Sequence, residues 1–288
     1  MSISNTNDQS NKLPVLKLFL NTGTLRDLPQ HSQPSGLDLI QQYKLIQTAG
    51  FVGLQDGEAE PCRQLGLDRA GSGRVNHSSE IEPLVEKHVK EGLLATTLHV
   101  GWGTENDQEI DQLISQIIEI SSSYRYPLYV ETHRATVTQD NWRTVQIAKR
   151  FPEIRFNGDF SHWYTGHEMV YGDWEEKLEF IKPVLSRVRF IHGRIATPGA
   201  IQAPLQANPN TEYVSHFRQI WRHCFEGFLE TATSGDFIIF APELLPAAIY
   251  YAQTHQDKTK QIRESSDRWQ DALQLKQIAV EEFKNAKN

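Results

Sequence analysis

Residues 127–134 read PLYVETHR. In an extended segment Leu128 and Val130 fall on one face, and Tyr129, Glu131 and His133 on the other. The run is apolar and β-rich up to Val130, then places a carboxylate, an imidazole and a guanidinium at its C-terminal end. A buried carboxylate is costly unless it is paired, hydrogen-bonded or bound to a metal. The strand therefore implies a partner for Glu131 elsewhere in the chain.

Further runs of the same kind recur at Pro14–Asn21, Phe51–Gln55, Leu94–Val100, Ile154–Asp159, Val188–Ile195 and Phe237–Ala241. The segments between them carry helical spacing. Ile110, Leu113, Ile114, Ile117 and Ile118 form one stripe, and Leu39, Ile40, Tyr43 and Ile46 another that Gly50 would stop. Asp173 and Glu176 suggest a capping box ahead of Leu178 and Ile181. Long helices are expected over Tyr213–Glu230 and about Arg263–Phe283. Short apolar strands alternating with helices predict a parallel sheet covered on both faces. The fold class is α/β, a single-domain (β/α)8 TIM barrel, with a doubly wound open sheet as the alternative. Seven strands are legible, and the stretch from Ile195 to Gly235 is the place expected to hide a short or irregular eighth. Two segments look long for loops, Asp56–Ser79 with AGSGR at Ala70–Arg74, and Ala196–Thr211 with three prolines. GSGR without a P-loop helix reads as a surface turn before it reads as a phosphate cradle.

Composition agrees with one globular domain. The 288 residues are 39% hydrophobic with six Trp and thirteen Phe, and no apolar run reaches the roughly 20 residues of a membrane span. Residues 1–12, MSISNTNDQSNK, are polar, lack a secretory apolar stretch, and read as a disordered lead-in to a barrel over 13–288. Cys62 and Cys224 lie far apart without metal-type spacing, so free thiols and a cytoplasmic location are expected. The 36 acidic and 29 basic residues leave a net charge of -7, which disfavours nucleic acid as partner.

In such a barrel the site forms at the C-terminal strand ends. Glu131 ends YVETH, Asp159 ends RFNGD, His192 ends RFIH and Glu243 follows IIFAPE. Positions 131, 159 and 192 are spaced by about one βα unit of roughly 30 residues. The longer interval to 243 leaves room for another strand. Singly, Asp159 would serve as a turn cap, His192 as a core histidine and Glu243 as half of a loop salt bridge. Together, three carboxylates and an imidazole at one end suit one divalent ion, Mn²⁺, Mg²⁺ or Co²⁺ before Zn²⁺.

The pattern resembles the xylose isomerase-like TIM-barrel superfamily, in its sugar phosphate isomerase/epimerase branch, over nearly the whole chain from about Leu16. The resemblance implies that Glu131, Asp159, His192 and Glu243 are the ligands of a single metal. It matches Asp159-Phe160-Ser161-His162 to an Asp-x-x-His step whose histidine contacts substrate or metal-bound water. It matches His192-Gly193-Arg194 to a ligand followed by a substrate-contacting basic residue. It implies an isomerase or epimerase of a sugar or related polyol, acting by proton transfer through a metal-stabilised enediolate, with Glu131 and Glu243 as acid/base groups. Family members are often dimers or tetramers, which allows a homo-oligomer.

Hydride-shift isomerases of the family use a second metal and a lysine, whereas these strand ends carry Arg134 and Arg194. His99 and Trp102 in TLHVGWG, His133 after Glu131, and Trp163 after His162 complete the expected substrate-binding set, indole faces suiting polyol C–H groups. Three rivals remain: a polyol dehydratase on the same site, a phosphodiesterase like the abasic-site endonucleases, and a non-catalytic barrel.

Overall fold

The computed structural model describes residues 2–205 and 211–288. The strands are β1 (Thr6–Asn7), β2 (Val15–Asn21), β3 (Gly53–Gln55), β4 (Asp68–Val75), β5 (Thr96–Val100), β6 (Leu128–Glu131), β7 (Phe156–Gly158), β8 (Val188–Gly193), β9 (Asp236–Pro242), β10 (Thr254–Gln256) and β11 (Ile262–Glu264). The helices are α1 (Leu39–Thr48), α2 (Ala59–Leu65), α3 (Ile81–Lys90), α4 (Asp107–Tyr124), α5 (Asn141–Arg150), α6 (Ser161–Gly166), α7 (Trp174–Leu185), α8 (Glu212–Leu229) and α9 (Arg268–Ala286).

Strands β2 to β9 pair in parallel in chain order, and β9 closes on β2 through Val15↔Phe237 to Leu18↔Phe240. The result is an eight-stranded (β/α)8 TIM barrel. Its helices pack as their sequences dictate. In α4 the stripe Ile110, Leu113, Ile114 and Ile117 is buried, and Asn106 with Glu109 forms a capping box. Asp173 caps α7 by accepting from Glu176 N at 3.0 Å.

The eighth strand differs from expectation. It is β4, inside the segment taken as a long loop, and GSGR is part of it. It does not lie between Ile195 and Gly235. There β8 pairs directly with β9, His192 opposite Ala241, and the described residues of that stretch hold one isolated bridge, Thr197 with Ala200. Residues 206–210 of the Ala196–Thr211 segment lie outside the described residues. The sequence DRAGSGRV hides its strand because close packing selects small residues there. A Cβ on Gly71 would meet Leu93 Cδ1 at 2.6 Å, and one on Gly73 would meet Leu84 Cδ2 at 2.6 Å.

Two termini also differ. The polar lead-in expected to be disordered is held against the barrel: Ile3 is buried, and β1 pairs antiparallel with β9, Thr6 opposite Phe237. Tyr129 Oη accepts from Thr6 N at 2.9 Å and Arg189 Nε donates to Asn5 Oδ1 at 2.8 Å, so hydrogen bonds replace the missing apolar stretch. At the other end α9 starts at Arg268, because Ile262–Glu264 pairs with Thr254–Gln256 as a hairpin. Cys62 and Cys224 are buried free thiols, as expected. Among the described residues no helix is long and apolar enough to cross a membrane.

Candidate metal centre and active site

Four successive strands deliver the quartet to the barrel mouth. Glu131 is the last residue of β6, Asp159 follows β7, His192 lies in β8 and Glu243 follows β9. One donor atom from each falls within 4.8 Å of the others. Glu131, Asp159 and His192 are buried and the Glu243 side chain is 15% exposed, so the centre opens on the Glu243 side. Local structure holds the strand end in place. Thr138 Oγ1 donates to Glu131 O at 2.5 Å, and the turn between them passes through Ala135 at φ 52°.

Each of the four side chains is steadied from behind. His192 Nε2 lies 2.8 Å from Gln55 Oε1, which has no hydrogen to give, so this bond requires the proton on Nε2. Nδ1 then faces Glu131 Oε2 at 3.4 Å and Glu243 Oε2 at 3.5 Å. Asp159 Oδ1 accepts from Ser161 N at 3.1 Å and Ser161 Oγ at 2.5 Å, leaving Oδ2 toward His162 and Arg194. Asn157 Nδ2 donates to Glu131 Oε2 at 2.9 Å. Asn21 Nδ2 donates to Glu243 Oε1 at 3.1 Å and to Gln55 Oε1 at 2.9 Å. A metal-binding histidine ordinarily donates its second ring N–H in this way, and ligating carboxylates are hydrogen-bonded from outside. The donor set and its supports fit a divalent cation.

The charges are tightly balanced. Arg194, fully buried, donates through Nη2 to Asp159 Oδ2 at 2.7 Å and to Glu243 Oε2. Burial works against the charged guanidinium, but Asp159 and Glu243 outweigh it and hold its pKa above the ordinary arginine value. Burial likewise opposes a charged His192, yet Glu243 and Glu131 push it up to about 9. Against burial, Arg194 and then His162 hold the Asp159 carboxyl below its usual range, and His99 and His192 do the same for Glu131.

The expected substrate-binding residues divide. His99 Nε2 meets Glu131 Oε1 at 3.1 Å, and Glu131 raises its pKa despite burial. The rings of His99, His133 and His162 lie in sequence, tilted against one another, with centroids 4.1 and 3.8 Å apart. Burial, then the neighbouring His162, bring His133 down to about 3. One donor atom each from His99, Glu131 and His133 also falls within 4.8 Å, a second group sharing Glu131 with the first. Trp102 is 56% exposed at the rim, with Arg74 Cζ 4.2 Å above its ring.

Trp163 corrects the sequence reading. It is wholly buried, packs edge-on against Phe160 at 5.5 Å and donates Nε1 to Thr138 O at 2.8 Å, so its indole anchors the loop after β6 and does not line the mouth. Its position in a short buried helix after a strand end gave no sign of this.

No protein-family model matches the chain, and no curated protein matches it. Solved structures do. The probable 3-DHS dehydratase AsbF from Bacillus anthracis is 16% identical over 94% of this chain and 99% of that one, with a TM-score of 0.52. A xylose isomerase-like TIM barrel protein from Mycobacterium smegmatis, in complex with magnesium, is 13% identical over 96% and 97%, with a TM-score of 0.54. The chain has the xylose isomerase-like TIM-barrel fold. A xylose isomerase domain protein from Planctomyces limnophilus, at 13% identity over 95% and 99% and a TM-score of 0.51, shares it.

Within this barrel, sequence reasoning passed over Asn21, Gln55 and Asn157, which bond directly to the quartet. Their signal was present: Asn21 and Gln55 close strands, and Asn157 shares the strand face of Asp159. Tyr251, whose ring lies 4.7 Å from Arg194 Cζ, comes from the segment after β9 and gave none.

Proposed function

We propose that the protein is a divalent-metal-dependent isomerase or epimerase of a sugar or related polyol. The observation that carries this is the convergence of Glu131, Asp159, His192 and Glu243 within 4.8 Å at the barrel mouth. These four residues would hold one Mn²⁺, Mg²⁺ or Co²⁺, which when bound supplies Lewis acidity to a hydroxy-carbonyl group and stabilises the charge left by proton removal.

The chain's own residues account for the rest. Glu131 and Glu243 each bring a carboxylate oxygen within 3.5 Å of His192 Nδ1, and the two would exchange a proton with a substrate carbon placed between them. Asn157 and Asn21 orient those carboxylates through their amide N–H groups. Trp102 offers its free edge and outer face to substrate C–H groups, while Arg74 covers the other face. Dehydration of a cyclic polyol is the second reading. It begins with the same proton removal, and a probable 3-DHS dehydratase is among the solved proteins of this fold.

Elemental analysis of the purified protein, with Glu131→Gln and Glu243→Gln alongside, tests the proposal. About one divalent ion per chain is expected, with occupancy reduced in both variants. Turnover of a polyol panel in deuterium oxide then separates the readings. Deuterium entering the substrate carbon without loss of water supports isomerase or epimerase, and loss of water supports dehydratase. Two or three ions per chain would shift the reading to a phosphodiesterase, and no ion after reconstitution would overturn it.

A further inference from the structure

The N-terminal face of the barrel carries a cavity of about 640 Å³ between the docked segment 2–9 and the starts of the strands. Asp236 opens β9, and Leu94, Pro127 and Arg155 lie one or two residues ahead of β5, β6 and β7. The quartet stands at the other ends of β6 to β9, so this cavity and the metal centre lie on opposite faces. Its volume is that of a small-molecule site.

The charge of this lining is unusual for a chain of net charge -7. Arg125 and Arg155 both line it. Arg125 follows α4 at φ 50°, is exposed, and has no ion pair or side-chain hydrogen bond among the described residues. Arg155 donates through Nη1 to Pro152 O at 3.1 Å and Ile154 O at 2.8 Å, and its Nε is sealed from solvent. Its Nη2 bonds to nothing among the described residues, and no carboxylate pairs with it. Burial and the neighbouring Arg187 lower its pKa, against Tyr129 and Glu153.

A third cation stands behind the wall. Arg189 is wholly buried and donates to Asn5 Oδ1 at 2.8 Å, Thr231 Oγ1 at 2.7 Å and the carbonyls of Ser186 and Val188, none of them a carboxylate. Asn5 and Thr231 are themselves part of the lining. The acid there, Asp236, is already occupied. It accepts from Asn5 Nδ2 at 2.9 Å, Asn7 Nδ2 at 2.7 Å, Thr233 N at 2.9 Å and Thr233 Oγ1 at 3.2 Å. The balance is a surplus of positive charge with free guanidinium N–H groups, beside the apolar side chains of Leu93, Leu94 and Pro127. Guanidinium forks are the donors best matched to carboxylate and phosphate oxygens.

We infer that this cavity binds a small molecule carrying a carboxylate or phosphate group on an apolar body, at a site separate from the metal centre. Arg125 and Arg155 take the oxyanion, and Leu93, Leu94 and Pro127 take the body. Segment 2–9 forms one wall, so the ligand ties that segment more firmly to the barrel.

The test is calorimetric titration of the full chain with phenyl phosphate, benzoate and neutral benzyl alcohol, on wild type, Arg125→Ala and Arg125→Glu. Arg125 is exposed and unbonded, so both variants should keep the fold. At least one anion is expected to bind about tenfold or more tighter than benzyl alcohol. Arg125→Ala should remove most of that preference and Arg125→Glu all of it, while added Mg²⁺ leaves the affinity unchanged. Tighter phenyl phosphate assigns a phosphate ligand, and tighter benzoate a carboxylate. Hydrogen exchange at residues 2–9 should slow when the anion binds. No saturable binding, no anion preference, or a preference that survives Arg125→Glu overturns the inference. So does exchange at residues 2–9 that the anion leaves unchanged, and so does binding that requires added metal, which would place the anion at the quartet.

Discussion

Arg194 shows how a single residue makes a cluster of buried carboxylates tolerable. Asp159 and Glu243 present oxygens toward a common centre, and a guanidinium nitrogen sits between them. Removing one partner from a buried ion pair leaves the other charge uncompensated, at a cost of about 3–5 kcal/mol. Arg194→Met should therefore lower the unfolding free energy of metal-free protein by about that amount. Denaturant unfolding followed with and without added divalent metal checks it, and metal should restore part of the loss. A change within the error of the wild type would show that Arg194 is not the countercharge. At this scale the sequence was most informative where residue chemistry was unusual for its position. Glu131, Asp159, His192 and Glu243 were all identifiable as charged or imidazole groups at strand ends. Arg194 was legible as a basic residue near His192, but its bonds to Asp159 and Glu243 were not, because rotamer and reach are properties of the folded site.

Among the elements, β4 tests the local argument best. A surface turn containing AGSGR would accept larger residues, whereas a strand pressed against α3 and the segment after it would not. A Cβ at Gly71 meets Leu93 Cδ1 at 2.6 Å and the His88 ring at 3.0 Å. Gly71→Val should destabilise the protein by about 1–3 kcal/mol through overpacking, measured by urea unfolding. A neutral result would restore the loop. The helices needed no such help. The stripe of α4 is long and strictly periodic, so its apolar face could be read from the sequence. β4 reads DRAGSGRV, small and polar residues with no apolar period, and its assignment depends on neighbours far along the chain: Gly71↔Thr96 through Val75↔Val100 on one side and Gly53↔Asp68 through Gln55↔Ala70 on the other. Trp163 failed for the same reason in reverse, an aromatic near the site whose partner, Thr138, lies 25 residues back.

Global folding links the outer shell to pH. His88 is buried between α3 and the barrel, its Nδ1 2.7 Å from Thr96 Oγ1, and burial lowers its pKa from the ordinary 6.5. The unfolded chain therefore binds a proton at His88 before the folded chain does. Stability contributed there is complete above the unfolded value and falls as pH drops from it toward the lowered folded value. The advantage of wild type over His88→Gln should shrink between about pH 8 and about pH 5, measured by denaturant unfolding across that range. An advantage constant with pH would mean that folding leaves the His88 pKa where it is in the unfolded chain. Comparing the two proteins cancels the contributions of all other titrating groups.

The barrel class, its single-domain extent and the identity of the four converging residues were already contained in the order of the amino acids. Periodicity records which face is covered, and the regular spacing of the strand ends records the repeating βα unit. Three things emerged only on folding: the place of the eighth strand, the docking of the polar N-terminal segment beneath the barrel, and the pairing of Arg194 with Asp159 and Glu243. Each depends on contacts between residues distant in the chain. A guanidinium carries the same charge in any sequence, and its role is set by which acceptors the closed barrel brings within hydrogen-bonding distance.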